Sequence, residues 1–328
     1  MIKRYLPFLL LVILYFLLCF LRLQQGGWEP ETEVLKEQRQ FLDKRISKIL
    51  PSPQSDILSG ILLGQNKTLP YDIKLALRDS STLHIVVASG QNLSMVAGFF
   101  LTLSGLIKRK NAIILGLIAA FLYTLLTGLQ VPIIRAAIMF GLASLAKLFG
   151  RDEDGVWVLM LTGALMLLVN PSWLTSLSFQ LSFLATFGVI VVAPIILNKL
   201  KALPRFIGGD LAVTLAAQAM VMPVIAANFH QVSLVGLFSN LLVLFTIPFI
   251  MIGGALMLVL PFIGIILNGL ITYFIYVIKF FSSLPFAWVY IGEMSVIFWL
   301  GYYLILFAVM LSLKYVQTEN STRSKKQS

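Results

Sequence analysis

Long apolar runs recur along the whole chain and are separated by short polar loops. The runs cover residues 5–23, 83–106, 111–129, 131–149, 156–170, 173–197, 210–228, 232–260, 264–282 and 296–313. A transmembrane helix needs roughly 17–25 mostly apolar residues, and only 156–170 is short of that length. The run 232–260 is too long for one span, and Pro248 followed by Gly253-Gly254 predicts a broken helix or two half-spans. The pattern therefore predicts an all-α, polytopic helical membrane protein of about ten spans, some of them broken or re-entrant.

The composition agrees with lipid as the solvent for this chain. Hydrophobic residues make up 59% of the 328 residues and charged residues only 12%, whereas soluble domains have roughly 45–50% and about 25%. The mean hydropathy is +0.92. A soluble domain of this length could not bury so much apolar surface in one core.

The basic residues predict the orientation in the membrane. The net charge is +11, which on a soluble chain would suggest nucleic acid, but which in a membrane protein first reflects loops that remain in the cytoplasm. With ten spans, the following bases fall on one side: Lys3, Arg4, Lys108, Arg109, Lys110, Lys147, Arg151, Lys199, Lys201, Arg205, Lys314, Arg323, Lys325 and Lys326. The short opposite loops near 130, 171, 229 and 283–295 contain no Lys or Arg. We therefore expect a multi-pass protein of the bacterial cytoplasmic membrane with both termini in the cytoplasm.

Four segments follow from this pattern. Residues 1–23 form a first span, because the apolar run is longer than the core of a signal peptide and no small-x-small cleavage site follows it. Residues 24–82 form an external segment in which eight bases match eight acids. Residues 83–314 form the transmembrane domain, and the polar residues 315–328 form a disordered cytoplasmic tail.

The external segment is predicted to contain an amphipathic helix that lies on the outer face of the membrane. Its apolar positions recur at helical spacing and are Val34, Leu35, Phe41, Leu42, Ile46, Ile49 and Leu50. Pro51 and Pro53 end this helix. A second, weakly amphipathic stretch follows at residues 57–64.

Four polar clusters lie in or beside the spans, where each buried polar group needs a partner. The clusters are residues 83–94 with His84, Ser89, Gly90, Gln91 and Asn92; residues 132–137 with Arg135; residues 170–182 with Gln180 and Ser182; and residues 218–240 with Gln218 and Asn240. Gly90 permits a kink or a close backbone approach, and its amide neighbours satisfy a broken helix or face water. Ser178 and Ser182 share one helix face, from which Gln180 points away. Each cluster also has a plain alternative, since small polar residues line helix contacts and loop edges meet headgroups.

The residues that most enzymes need are scarce. Cys19 is the single cysteine, and the two histidines are His84 and His230, so no metal site is expected. Phosphate-binding glycine loops and zinc-protease motifs are absent from the sequence. Acidic residues inside the spans are almost absent, with Asp210 and Glu293 at span edges. We expect no catalytic residues, no cofactor and no enzymatic activity.

The clusters resemble the motifs of the ComEC-type competence family, the DNA-internalisation channels of bacterial transformation. The motifs are His84 leading to Ser89-Gly90; Pro132-x-x-Arg135-Ala136-Ala137 with Met139; residues 179–185; and residues 232–236 followed by 239–243. They keep the family's order and spacing over residues 57–260. After Gly90 this chain has Gln91-Asn92, where the family has Leu-His. The family's oligonucleotide-binding-like and nuclease domains have no counterpart in these residues, so we expect the membrane competence domain alone.

The resemblance implies a membrane channel component that imports single-stranded DNA during natural transformation. It also implies partners, namely a cytoplasmic helicase or translocase, a DNA-receptor protein and a separate nuclease. The residues expected along the polar path are Arg135, His84, Ser89, Gly90, Gln91, Asn92, Gln180, Ser182, Gln218 and Asn240. Two alternatives stay open, a divergent transporter for a small or lipidic solute without DNA handling and a structural membrane subunit.

Overall fold

A computed structural model gives the fold and describes residues 2–29, 34–65, 68–87, 89–200 and 202–327. The α-helices are α1 (Ile2–Gln24), α2 (Lys36–Ile49), α3 (Gln54–Leu63), α4 (Tyr71–Asp79), α5 (Leu83–Val86), α6 (Gly90–Thr102), α7 (Arg109–Leu126), α8 (Val131–Leu148), α9 (Gly155–Val169), α10 (Leu177–Phe187), α11 (Ala193–Leu197), α12 (Arg205–Phe229), α13 (Gly236–Leu244), α14 (Ile247–Met257), α15 (Ile263–Ser282) and α16 (Val296–Gln327). Short 3₁₀ turns occupy Leu103–Gly105 and Pro171–Thr175, and a π-helical turn, Gly188–Val192, joins α10 to α11. Strands β1 (Gln231–Ser233) and β2 (Trp288–Tyr290) pair antiparallel.

The predicted fold class is confirmed, since the described residues form an all-α membrane protein. Five helical segments are long and apolar enough to cross a membrane, namely Arg109–Leu126, Val131–Leu148, Leu177–Leu197, Ile207–Phe229 and Ile263–Ser282. The bent pair α13 and α14 would make a sixth span, and three shorter apolar helices are Val12–Gln24, Gly155–Val169 and Ile297–Leu313. The number of full-length spans in the described residues is thus lower than the predicted ten, because apolar runs and unbroken helices do not coincide.

The apolar run 232–260 is broken, as predicted. It begins with β1 and continues as α13 and α14, whose axes differ by 43°. The bend lies between Leu244 and Ile247, just before Pro248 rather than at Gly253-Gly254. Pro248 stands in the first turn of α14, where its missing N–H leaves no helical bond unmade.

The apolar run 83–106 is also broken, at the polar cluster for which the sequence left a kink or a broken helix open. α5 ends at Val86, Val87 and Ser89 have extended backbones, and a new helix, α6, begins at Gly90. The Ser89 hydroxyl accepts a hydrogen bond from the backbone N–H of Asn92, a standard N-cap. The cap starts a helix that periodicity alone could not separate from its neighbour.

The segment before residue 83 packs into the main core. Eight of the ten residues of helix α3 are buried. A cluster of buried apolar side chains joins α3 to α14 and α15. A Cβ on Gly254 would lie 2.7 Å from Leu58 and Leu62 side-chain atoms, so α14 touches α3 closely. The core therefore contains residues from both sides of position 82, and the external placement of 24–82 stays a prediction.

The predicted amphipathic helix is confirmed as α2, but its apolar side packs on protein. Ile46 and Leu50 are buried in the main core, while Phe41 is exposed. The hydrophobic spacing that suggests a membrane-surface helix is the same spacing that docks a helix onto a core. Part of the apolar face is therefore covered by protein, and the contact of this helix with the membrane surface stays a prediction.

Helix α16 docks onto α12 just before Pro223. Pro223 lies inside α12 and has no N–H, so the carbonyl of Ala219, four residues earlier, loses its helical donor. The Tyr302 hydroxyl donates to that carbonyl at 2.9 Å, and the Tyr303 hydroxyl donates to the carbonyl of Met220 at 2.9 Å. α16 is helical as far as Gln327, through the segment expected to be disordered, because extending an existing helix is easier than starting one.

Candidate functional site

Arg135 is the centre of the polar cluster inside the helices. It lies on α8, one turn after Pro132, and only 8% of its surface is exposed. Its Nε donates to the Ser182 hydroxyl at 2.7 Å, and its Nη1 donates to the Thr186 hydroxyl and lies 3.5 Å from the Met139 sulfur. We call Arg135, Ser182, Thr186, Met139 and Gly90 the Arg135 cluster.

The guanidinium has no carboxylate partner within the described part of the chain. Ion pairs between described side chains include Arg78–Asp79, Lys147–Glu153 and Lys279–Asp72, and none of these pairs involves Arg135. Arg135 is instead surrounded by neutral groups, including the Phe183 ring, whose centroid lies 6.0 Å from the guanidinium carbon. An unpaired buried cation is unfavourable in a protein interior, and inside spans such residues usually mark a substrate path.

Gly90 allows the start of α6 to touch the guanidinium. A Cβ at this position would lie 2.8 Å from Arg135 Nη2 and 3.0 Å from the Ala136 Cβ. A larger residue here would force the end of the Arg135 side chain to shift, so the glycine allows this close approach. Of the two roles that the sequence left open for Gly90, a kink or a close backbone approach, the structure shows the close approach, and the Gly90 motif meets the Pro132–Arg135 motif here.

Ser89 and Asn92 act on the helix ends rather than on an open path. Asn92 is 1% exposed, and its Nδ2 donates to the carbonyl of Ile61 at 3.1 Å. The Tyr123 hydroxyl donates to the same carbonyl at 3.1 Å. Ile61 is in the last turn of α3, where carbonyls have no helical donor. We call Asn92, Tyr123 and the Ile61 carbonyl the Ile61 cluster.

Gln91 and His84 are the two exposed members of the predicted path in this region. Gln91 stands in the first turn of α6, beside Gly90, and His84 lies on α5. The two faces of the α6 start thus differ, since Gln91 is exposed while its neighbour Asn92 is buried. Asn92 thus takes the predicted role of satisfying a broken helix, and that Gln91 faces water stays a prediction.

The fourth motif holds the turn that precedes α5. The Ser233 hydroxyl donates to the Asp79 carbonyl at 2.9 Å, and the Ser239 hydroxyl donates to the Ser80 carbonyl at 2.5 Å. Ser81 adopts a left-handed backbone with φ of 59°. A Cβ on Gly236 would lie 2.7 Å from the Ser81 Cβ, so this glycine accommodates the turn. These contacts hold the turn that precedes α5, the helix that carries His84.

Gln218 and Asn240 lie by this turn and not in the Arg135 cluster. Gln218 Nε2 lies 3.0 Å from the position of a Cβ on Gly236. Asn240 is 2% exposed, and its Oδ1 has no hydrogen-bond partner among the described residues. That Gln218 and Asn240 line the substrate path stays a prediction.

The third motif contributes Ser182 to the cluster but not Gln180. Gln180 Nε2 donates to the Leu174 carbonyl at 3.1 Å, back toward the 3₁₀ turn. Sequence reasoning missed Thr186, which follows Ser178 and Ser182 at the same four-residue spacing and could have been found by extending that stripe. It also missed Tyr123, for which the sequence gives no signal.

Several bases predicted to share one compartment lie together at one end of the helices. Arg109 at the start of α7, Lys147 near the end of α8 and Arg151 line an open cavity of about 540 Å³ with Asp152 and Glu153. Lys147 Nζ and Glu153 Oε1 are 2.7 Å apart. This proximity agrees with the placement of the 108–110 and 147–151 loops on one side of the membrane.

Comparisons with known proteins point in one direction. The family model described as Competence protein matches residues 61–315, a range that contains all four motifs. ComE operon protein 3 of Bacillus subtilis is 27% identical over 70% of this chain and 30% of its own length, and the uncharacterized protein YcaI of Escherichia coli is 28% identical over 70% of this chain and 31% of its own length. An uncharacterized protein of Aquifex aeolicus is 31% identical over 60% of this chain and 47% of its own length. The chain therefore spans less than half the length of these relatives, and no solved structure matches it.

Proposed function

Because the chain belongs to the Competence protein family, we propose that it is a membrane channel component that imports single-stranded DNA across the cytoplasmic membrane. The observation that carries this proposal is Arg135, a buried guanidinium without a carboxylate partner in the described residues, at the point where three motifs of the chain meet. A strand crossing the membrane needs a wet path, neutralisation of its phosphates and contacts that tolerate any base. The Arg135 cluster and the exposed amide of Gln91 supply groups of these kinds.

The orientation is part of the same proposal. We place both termini and the cavity lined by Arg109, Lys147 and Arg151 in the cytoplasm, because cytoplasmic loops collect Lys and Arg. In that orientation the basic cavity is where an imported strand would leave the membrane.

The proposal includes partners. The sequence has no nucleotide-binding loop, so energy would come from a cytoplasmic helicase or translocase, DNA delivery from a receptor protein, and strand degradation from a separate nuclease. Single-stranded DNA and the lipid bilayer are the molecules that this chain itself would contact.

The test is uptake of end-labelled DNA into a nuclease-protected form. A deletion strain is complemented with the wild type, with Arg135→Ala, or with Lys279→Ala, a matched change of an exposed cation that pairs with Asp72. We expect the wild type and Lys279→Ala to restore uptake, and Arg135→Ala to remain at the level of the deletion strain with normal protein levels and normal DNA binding at the cell surface. Undiminished uptake in the deletion strain would contradict the proposed function.

A transporter for a small or lipidic solute is the second candidate. It is favoured by the neutral surroundings of Arg135, because one guanidinium held by hydroxyls could equally hold one anionic headgroup. Thermal stabilisation of the purified protein by such a solute, with no response to oligonucleotides, would support this candidate.

A further inference from the structure

The start of α6 leaves two backbone donors open. In the described residues, the Asn92 N–H is taken by the Ser89 hydroxyl and the Leu93 N–H by the Ser89 carbonyl. The N–H groups of Gly90 and Gln91, the first two of the helix, have no acceptor there. A helix start with free N–H groups carries about half a positive elementary charge.

Arg135 brings a second positive group to the same place. Its Nε and Nη1 are held by Ser182, Thr186 and Met139, but Nη2 makes no hydrogen bond in the part of the chain that the structure describes. Nη2 is the atom closest to the position of a Cβ on Gly90, at 2.8 Å. A full positive charge and the positive end of a helix therefore converge, and they repel each other unless an anion lies between or beside them.

The open N–H groups at the start of α6 and the Nη2 of Arg135 are together the kinds of donor that bind an oxyanion. Free N–H groups at a helix start bind phosphate groups well, and a glycine there lets the ligand approach the backbone. The fixed Nε and Nη1 contacts orient the guanidinium, so its open edge is presented without further ordering of the side chain.

We propose that Gly90 N–H, Gln91 N–H and Arg135 Nη2 form a binding site for one phosphodiester group. A phosphodiester carries a single negative charge, which matches the single charge of Arg135, and its two non-bridging oxygens suit two separate sets of donors. This inference rests on the proposed function for the source of the ligand, a nucleic-acid backbone. A phospholipid headgroup presents the same chemistry, and the experiment separates the two sources.

The probe is a fluorescent single-stranded oligomer of abasic deoxyribose phosphates, with a matched oligomer in which uncharged methylphosphonates replace the phosphodiesters. Binding to the purified full chain is followed by fluorescence anisotropy in nanodiscs of phosphatidylcholine alone and of phosphatidylcholine with phosphatidylglycerol. We expect the abasic oligomer to bind and the methylphosphonate oligomer not to bind, because the site recognises charge and not bases.

Two variants and one matched control locate the binding. Arg135→Ala removes the cation, and Gly90→Ala introduces a Cβ 2.8 Å from the present position of Nη2. Gly98→Ala is the same change in α6, at a position where the added Cβ has no neighbouring atom within 4 Å. We expect Kd to rise about 10- to 100-fold in the first two variants, the loss of a charged hydrogen-bonded contact, and to stay unchanged in Gly98→Ala. The slope of log K against log salt should fall by about 0.7 in Arg135→Ala, the value for one lost phosphate contact with a single strand.

The outcomes separate the site from the proposed function. Equal affinity of wild type, Gly90→Ala and Arg135→Ala for the abasic oligomer, or equal binding of both oligomers by the wild type, would overturn the site even if DNA uptake depends on this protein. Loss of binding in these variants while cells without the protein still take up DNA would keep the site and refute the proposed function. Binding that phosphatidylglycerol abolishes, with Arg135-dependent thermal stabilisation by that lipid alone, would assign the site to a lipid headgroup and overturn the nucleic-acid source.

Discussion

The Arg135 cluster and the Ile61 cluster lie on opposite sides of the start of α6, and they treat polar groups in opposite ways. In the Ile61 cluster, one orphan carbonyl receives two neutral donors, from Asn92 and Tyr123. In the Arg135 cluster, a charge is buried with neutral partners, and donors at Gly90 and Nη2 are left open. A satisfied neutral cluster stabilises a fold, whereas a charged one with open donors is retained for a ligand.

The comparison also explains why adjacent residues have different roles. Gln91 and Asn92 are neighbours in the first turn of α6, about 100° apart around the helix, so one points outward and the other into α3. We therefore expect changes near Ile61 to lower stability and changes near Arg135 to lower binding.

The largest stability effect is expected at Gly60, beside Ile61. A Cβ there would lie 2.6 Å from the Val86 carbonyl oxygen, and backbone cannot move aside as a side chain can. Gly60→Ala should lower the free energy of unfolding by about 1–3 kcal/mol or more, seen as a lower thermal midpoint in detergent. Gly90→Ala, whose Cβ meets the end of a side chain, should cost less, and Gly98→Ala should cost nothing. A wild-type midpoint for Gly60→Ala would contradict this packing.

A smaller effect is expected when the donors to the Ile61 carbonyl are removed one at a time. Asn92→Ala and Tyr123→Phe should each lower stability by about 0.5–1.5 kcal/mol, since the other donor remains. The double variant should lose more than the sum of the two, because the buried carbonyl is then left without a partner. Additive losses in this double-mutant cycle would mean that the two donors do not share one acceptor.

The carbonyl that Pro223 leaves without a helical donor is a third, weaker case of a satisfied carbonyl. Tyr302→Phe should cost about 1 kcal/mol because the Ala219 carbonyl loses its donor. In a Pro223→Ala background the restored helical N–H supplies that donor, so the same change should cost less. Tyr276→Phe, at an exposed tyrosine, is the matched control and should leave the thermal midpoint unchanged.

The smallest effect is expected at the exposed pair of Asp72 and Lys279, whose Oδ2 and Nζ are 3.0 Å apart. The hydrogen bond from Lys279 holds the pKa of Asp72 below its ordinary value of 3.8. The pair therefore contributes stability above that value, and the contribution is lost as the pH falls below it. The difference in thermal midpoint between wild type and Asp72→Asn should be slight near about pH 7 and should shrink and vanish as the pH falls well below 3.8. A difference that grows toward acid pH would have the wrong sign.

Hydrophobic periodicity and the positions of helix-breaking residues predicted much of this fold. The helical class, the amphipathic helix α2 and the break before Pro248 follow from local sequence. The burial of α3 does not, because a weakly amphipathic stretch gives no sign of what covers its second face. A kink or broken helix near Gly90 was anticipated, but the N-cap at Ser89 that starts α6 was not identified, since an apolar run hides an internal N-cap.

Part of the site could be predicted as well. Arg135 stands out as the charge inside a span, and Gly90 as a place for close approach, from residue type alone. Their meeting with Ser182 and Thr186 depends on how α6, α8 and α10 pack, which no local pattern encodes. For the same reason the sequence could not separate Asn92, which donates to a carbonyl of α3, from Gln91, which is exposed.

The central claim is that Arg135 serves a ligand and not the fold, and Arg135→Met tests it most directly. Methionine fills a similar volume without the charge, so the substitution removes the free-energy cost of burying an unpaired cation. We predict a thermal midpoint equal to or above that of the wild type, together with nuclease-protected DNA uptake at the level of the deletion strain. A lower midpoint with uptake retained by the folded fraction would contradict the claim and make Arg135 a structural residue.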